Sequence, residues 1–284
     1  MSATPAGIEN LFRRRVLPLY EGHAYQAMLQ REGLPPRVRF YFEELDRLGL
    51  LAAGRRLLDL GAGLGAFAPL ARLLGLEVCI VDDFGGGGGV EDKADPSLQR
   101  VLARFRDLGV EIVDRNLLSD PLPAEDETID LAVSFHSLEH WHHSPRRLFA
   151  EICRALRPGG ALMLAAPNSV NLRKRLAAAL GRSPLGALEE WYHEGDPVFR
   201  GHVREPTLAE LEQLAEWNGL RLLTSGGRNF IARDSIRFTR GAGWRPSLYR
   251  TALALADPAL RLRAPLCSDL HVVAAKPEAA GRAA

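Results

Sequence analysis

Along the chain, short apolar runs bounded by glycine alternate with stretches whose apolar residues recur at helical spacing. Leu57–Leu60, Glu77–Val81, Val110–Val113, Ile129–Val133 and Ala161–Ala165 read as five buried strands. Between them lie helical patterns. Residues 66–74 end at Gly75, and Ser97–Leu108 carries Leu98, Val101, Leu102, Phe105 and Leu108 on one side before Gly109. Ser144-Pro145 gives an N-cap followed by proline at the first helical position, and Leu148, Phe149, Ile152, Cys153 and Leu156 supply that helix's buried face. Ahead of the first strand, Pro35-Pro36 precedes Val38, Phe42, Leu45 and Leu48, a helix ending at Gly49. Strict alternation of strand and helix predicts parallel strands joined by right-handed crossovers, a doubly wound α/β sheet. Its ligand crevice falls at the carboxyl ends of the first and fourth strands, where the strand order reverses.

Beyond strand five the pattern loosens. Asn168–Glu205 is long; its first half, Leu172–Leu180, is helical and carries Arg173, Lys174 and Arg175. Its second half gathers Trp191, Tyr192, His193, Asp196, Phe199, Arg200, His202 and Arg204, which either face an acceptor or pack among themselves. Thr207-Leu208-Ala209-Glu210 is a capping box opening a helix that Gly219 ends. Leu220–Ser225 reads as strand six and His271–Ala275 as a final strand; between them Leu248–Leu255 is a candidate helix. Residues 1–35 are mixed: Arg13-Arg14-Arg15 suits a solvated face or a flexible arm, and Tyr20, His23 and Tyr25 are placed to cover a site. The expected organisation is an N-terminal helical cap or arm over 1–50 and a ligand-binding domain over 51–284. That domain carries a lid insertion at 168–206 and a helical insertion at 231–265.

Composition narrows the functional classes. With 46% hydrophobic and 25% charged residues and a net charge of +1, the chain has no electrostatic footprint for nucleic acid. Cys79, Cys153 and Cys267 are far apart in apolar contexts and read as packed, reduced thiols. Neither a signal-peptide core nor a bilayer-length apolar run is present, so a cytoplasmic soluble protein is expected.

The chemistry concentrates at strand ends. In Leu57-Leu58-Asp59-Leu60-Gly61-Ala62-Gly63-Leu64-Gly65 a strand runs into a glycine turn where backbone can pass close to a ligand. The spacing of Gly61, Gly63 and Ala66 also matches a dinucleotide fingerprint. Asp59 argues against a phosphate and suits a ligand with a positive group, such as an amino-acid ammonium. Asp82, about 20 residues past Gly61, is placed to accept two adjacent ribose hydroxyls. Asn116 and Leu117 follow strand three, where an amide can read an adenine edge and an apolar side chain can pack on the ring. Gly85–Gly89 cannot be regular structure; it is a loose loop or a flap beside the ribose. The densest patch, Ser134-Phe135-His136-Ser137-Leu138-Glu139-His140-Trp141-His142-His143, begins where strand four ends. No metal site is expected there, because histidines at adjacent positions cannot all face one ion in regular structure.

Leu57–Gly65, Asp82, the Leu122-Pro123 loop before Ile129-Asp130, Ser137-Leu138-Glu139-His140, and Leu156-Arg157-Pro158-Gly159-Gly160 to Pro167-Asn168 stand in the order seen in class I methyltransferases. The chain resembles this S-adenosylmethionine (SAM)-dependent family, and within it the broad bacterial type 11 group, over roughly 50–226 plus the last strand. The resemblance implies a Rossmann-like, mostly parallel seven-stranded sheet with helices on both faces and an antiparallel last strand. It implies that Gly61, Ala62, Gly63 and Gly65 line the methionine and ribose, that Asp59 lies near the ammonium, and that Asp82 binds the ribose diol. Asn116 and Leu117 match the adenine position, where many relatives carry Asp in place of Asn116; Phe135 and His136 match residues flanking the methionine arm. The five-glycine run departs from the family pattern. The implied activity is methyl transfer to a small-molecule or glycan acceptor, at oxygen, with His136, His140, His193 and His202 as candidate general bases. A nicotinamide-dependent oxidoreductase sharing the glycine turn and Asp82, and a non-catalytic SAM-binding protein, are the rival readings.

Overall fold

The computed structural model describes residues 5–85, 93–185, 188–193, 199, 201–230, 255 and 257–278. Gly86–Gly89, Asp196, Arg200, most of the expected helical insertion, including 248–254 of its candidate helix, and the end of the tail lie outside the described residues.

Seven strands form one sheet: β1 (Arg56–Leu60), β2 (Glu77–Asp82), β3 (Glu111–Asp114), β4 (Ile129–Phe135), β5 (Leu156–Pro167), β6 (Arg221–Arg228) and β7 (Asp269–Ala275). Their order is β3-β2-β1-β4-β5-β7-β6. The first five strands pair in parallel, and β7 lies antiparallel to both of its neighbours, β5 and β6. The order reverses between β1 and β4, so Leu60 and Phe135 end side by side at one crevice.

Alternating side chains bury both faces. Leu57, Val78, Ile80, Leu131, Val133 and Met163 join one core with α4 (Phe67–Leu73) and α5 (Pro96–Asp107). Leu58, Leu60, Val81, Ala132, Leu162 and Leu164 join another with α6 (Arg146–Ala155) and α9 (Leu208–Trp217). A period of two in every strand therefore sends successive residues into different cores, as a sheet covered on both faces requires.

The first core also takes in the start of the chain. α1 (Pro5–Leu11) continues through a π-helical turn (Phe12–Val16) and a 3-10 turn (Leu17–Tyr20), then α2 (Ala24–Glu32) and α3 (Pro36–Arg47) follow. Ile8, Phe12, Val16, Tyr20 and Leu29 are buried there, while Arg13, Arg14 and Arg15 are exposed, so the basic run is a solvated face of ordered helix. The Tyr20 hydroxyl donates to the Leu64 carbonyl at 2.9 Å, which fastens this segment to the glycine turn.

Two local expectations shift. Helix α6 starts at Arg146 with Pro145 as its cap residue, one position later than expected, while the Ser144 hydroxyl still accepts the Arg146 N–H at 3.4 Å. Strand β5 starts at Leu156 rather than Ala161: Gly159, at φ 73°, and the register shift opposite Ile129–Leu131 let Arg157-Pro158-Gly159-Gly160 run within the strand instead of forming a separate turn. The Thr207 capping box forms in both directions, with Glu210 closing it.

In the lid region α7 (Leu172–Ala179) is capped by Asn171, whose side chain accepts the Lys174 N–H. It is followed by α8 (Leu188–Tyr192), where Trp191 is 60% and Tyr192 72% exposed, so these two aromatics are not core. Among the described residues no helix is long and apolar enough to cross a membrane.

Candidate active site

The crevice has two halves, one on each side of the β1/β4 boundary. On the β1 side the turn is shaped by what a side chain would strike. Gly61 has φ 71°, and a Cβ there would lie 2.0 Å from the Ser137 hydroxyl oxygen. Gly63 has φ 51°, and a Cβ there would meet nothing within 4 Å, so this position faces open space. Gly65 closes the turn by donating to the Ala62 carbonyl at 2.9 Å.

Two carboxylates stand beneath this turn. Asp59 is 2% exposed. Burial, helped by the charge of Asp82, pushes its carboxyl up to about 8. An arriving cation favours the ionised form of such a buried acid and draws its carboxyl back down. Asp82 accepts the Gly63 N–H at 2.8 Å and the Phe84 N–H at 2.7 Å, one on each oxygen. Burial raises its carboxyl above the usual range, and those two N–H groups oppose the shift. A carboxylate has about four acceptor positions, so two backbone bonds leave capacity for a diol.

Asn116 is tied into its own loop. Its amide donates to Asp83 at 2.9 Å, and its carbonyl oxygen accepts the Leu118 N–H at 3.0 Å. The adenine-reading role thus has the second amide N–H, the remaining capacity of that oxygen and the neighbouring backbone to draw on. The Leu117 side chain lies beside the Gly61 position, at 3.5 Å from where a Cβ would stand.

On the β4 side, Phe135 stacks on Tyr41 of α3, with centroids 4.0 Å apart and rings 12° from parallel. The next residue, His136, takes φ 55°, a left-handed conformation that costs a non-glycine residue energy. Its Nε2 lies 3.1 Å from the Tyr41 hydroxyl and 3.5 Å from Asp269 Oδ1, and its Nδ1 lies 3.5 Å from Glu139 Oε1. Glu139 sits in the 3-10 turn Leu138–His140, 1% exposed, and its buried Oε2 has no hydrogen-bond partner among the described residues. Burial pushes the Glu139 carboxyl up, but the His136 hydrogen bond and the nearby His136 and His140 outweigh this and hold it below the usual range.

The lid reaches back to this turn. Val203 donates its N–H to the Glu139 carbonyl at 2.8 Å, which brings His202 edge-on to His140 with centroids 4.9 Å apart. His202 Nδ1 lies 2.9 Å from Glu205 Oε1, and Glu205 also pairs with Lys174 of α7. Burial lowers the His202 imidazole below its ordinary value. His193 is exposed at the end of α8, edge-on to Tyr192, and is not part of this constellation.

Of the four candidate histidines, the structure thus gathers His136, His140 and His202. Tyr41, Glu205 and Asp269 are site residues that the sequence reading missed. Tyr41 had a signal, since it lies three positions after Val38 on the apolar side of a helix expected to precede the first strand; Asp269 had none, because nothing local links it to His136.

Comparison with known proteins places the chain in a family. A family model described as a methyltransferase domain matches residues 15–225. A "probable S-adenosylmethionine-dependent methyltransferase" of Mycolicibacterium smegmatis is 29% identical over 70% of this chain, and the chain spans 60% of that relative's length. An "uncharacterized methyltransferase" of Mycobacterium tuberculosis is 30% identical, covering 72% of each chain. Among solved structures, a SAM-dependent methyltransferase of Mesorhizobium loti superposes with a TM-score of 0.51 at 21% identity, covering 82% of this chain and 97% of its own. A phosphoethanolamine N-methyltransferase of Haemonchus contortus, solved with SAM, gives 0.52 at 19% identity, covering 95% and 60%. The chain belongs to the class I SAM-dependent methyltransferases. SAM is accordingly its cofactor, and the oxidoreductase reading has no support in these likenesses.

Proposed function

We propose that this chain transfers the methyl group of SAM to a hydroxyl oxygen of a small-molecule or glycan acceptor. The observation that carries the cofactor half is Asp59: a buried carboxyl, 2% exposed, next to a turn whose Gly63 faces open space. The cofactor, when bound, supplies a methyl on a positively charged sulfur and needs no further activation. Asp59 holds the methionine ammonium, Asp82 accepts the ribose hydroxyls, and Gly61, Ala62, Gly63 and Gly65 let main chain approach the amino-acid end. Asn116 and Leu117 border the adenine, and Phe135 and His136 border the methionine arm.

Oxygen as the acceptor atom rests on the β4 side. His136 is oriented by Glu139 and Asp269 and touched by Tyr41, the arrangement of a base held by acidic partners. His140 and His202 stand next in line. The protein's task is then to hold the acceptor oxygen behind the methyl and to receive its proton. The test is turnover of methyl-labelled SAM against pools of hydroxylated and amino acceptors, with calorimetric titration of SAM, S-adenosylhomocysteine and NAD alongside. Label appearing in ethers supports the reading. Label only in amines overturns the oxygen assignment, and NAD binding without SAM binding overturns the whole.

A further inference from the structure

Glu139, His140 and His202 each offer one metal-ligating atom, and the three atoms lie within 4.8 Å of one another. Two of these residues are adjacent in sequence and the third arrives from the lid, 62 positions after His140. Adjacent histidines alone make a poor site. What completes this one is the backbone bond from Val203 to the Glu139 carbonyl, which fixes the lid against the 3-10 turn.

We propose that Glu139, His140 and His202 form a binding site for a borderline divalent cation of the zinc class. Three features support it. One carboxylate with two imidazoles is the donor set of open zinc sites, which keep a further position for water or substrate. Glu139 is 1% exposed, and its Oε2 is a buried acceptor with no hydrogen-bond partner among the described residues. Such an orphan is costly to bury, and a cation relieves it. The third feature is the outer layer: His202 Nδ1 is held by Glu205, which leaves Nε2 as the ligating atom. Glu205 is itself paired with Lys174. Metal-binding histidines characteristically have their second nitrogen engaged in this way.

The site's place defines its task, a task that rests on the methyl-transfer reading given above. Glu139 and His140 follow directly on His136, on the acceptor side of the crevice. An acceptor hydroxyl at the open position of the cation has its pKa lowered. Its O–H bond breaks and the proton passes to His136, the base assigned above. The oxygen then forms a bond to the methyl carbon as the carbon–sulfur bond breaks, giving a methyl ether and S-adenosylhomocysteine. The cation keeps its oxidation state throughout.

The full chain, stripped with chelator, is titrated with Co²⁺ under visible absorption and separately with SAM by calorimetry. One Co²⁺ per chain, with the intense d–d bands of low coordination number, is expected. His202→Ala and Glu139→Gln should each weaken binding more than ~100-fold, since losing an outer partner alone costs metal sites ~10–100-fold. His202 lies in the lid, so its variant guards against the chance that changing buried Glu139 simply unfolds the chain. Absence of Co²⁺ binding, affinity unchanged in His202→Ala, or affinity lost instead in a His142→Ala/His143→Ala double variant overturns the proposal. SAM binding without Co²⁺ binding defeats the metal site and leaves the methyltransferase reading standing; Co²⁺ binding without SAM binding does the reverse.

Discussion

The two halves of the crevice are built in opposite ways. The β1 half is local: Asp59, Gly61, Gly63 and Gly65 fall within seven residues, and Asp82 reaches Gly63 through a single backbone hydrogen bond. The β4 half is assembled from four distant segments: Tyr41 from α3, His136–His140 after β4, His202 and Glu205 from the lid, and Asp269 from β7. One half presents backbone and buried acids to a ligand of fixed shape. The other presents side chains drawn from a helix, a strand end, the region after β5 and β7. On the roles proposed above, most cofactor contacts fall on the local half and acceptor choice on the assembled one.

That contrast can be broken most sharply at Gly63. Gly63→Val fills the open space beside the turn and should abolish SAM binding while the chain stays folded. Strain at φ 51° should cost stability by ~1–2 kcal/mol or somewhat more for a β-branched residue. Calorimetry and circular dichroism read the two effects separately, and retained binding would sink the idea of close backbone approach.

Asp82→Ala should weaken SAM binding by at least about tenfold, through loss of charge-assisted hydrogen bonds worth ~1.5–3 kcal/mol in total effect. An affinity equal to that of the native chain removes Asp82 from the ribose.

Asp59 provides a pH test. Its carboxyl sits at about 8 in the folded chain, above its unfolded value, so the folded state holds the extra proton between those limits. Stability therefore falls as pH rises from about 4 towards 8. Asp59→Asn should flatten this decline in thermal melts. Binding of the SAM ammonium should draw the carboxyl down and release close to one proton at pH 7, measurable by calorimetry in buffers of different ionisation enthalpy. No proton release would separate Asp59 from the ammonium.

The smallest effect is expected from the assembled half. Tyr41→Phe removes one hydroxyl from His136 and keeps the ring on Phe135, so kcat should fall only several-fold, on the order of ~1 kcal/mol, with SAM affinity unchanged. A large drop in SAM affinity instead would mean that the two halves are not separable.

The same division governs how much could be read from sequence. The strand–helix alternation, the glycine turn and Asp82 are local patterns with short-range causes, and the parallel pairing of the first five strands follows from the alternation; the antiparallel last strand was legible only through the family resemblance. Strand β5 began five residues earlier than expected because pairing with β4 and a positive-φ glycine carried the chain through a Pro-Gly-Gly stretch that looks like a turn. His193 and His202 looked equivalent in sequence; only the Val203–Glu139 hydrogen bond distinguishes the one at the crevice from the one on the exposed helix. Tyr41 and Asp269 meet His136 from more than 90 positions away on either side, a proximity that tertiary packing alone creates.

The bond from Tyr20 to Leu64 has a practical outcome for anyone trimming this protein. A fragment starting at α3 would keep all seven strands and every acid named above, yet lose the buried phenol that steadies the middle of the glycine turn, along with its edge-on contacts to Tyr25 and Phe105. Such a fragment is a changed receptor rather than a shortened one, and weak cofactor retention by it would say nothing about the intact chain.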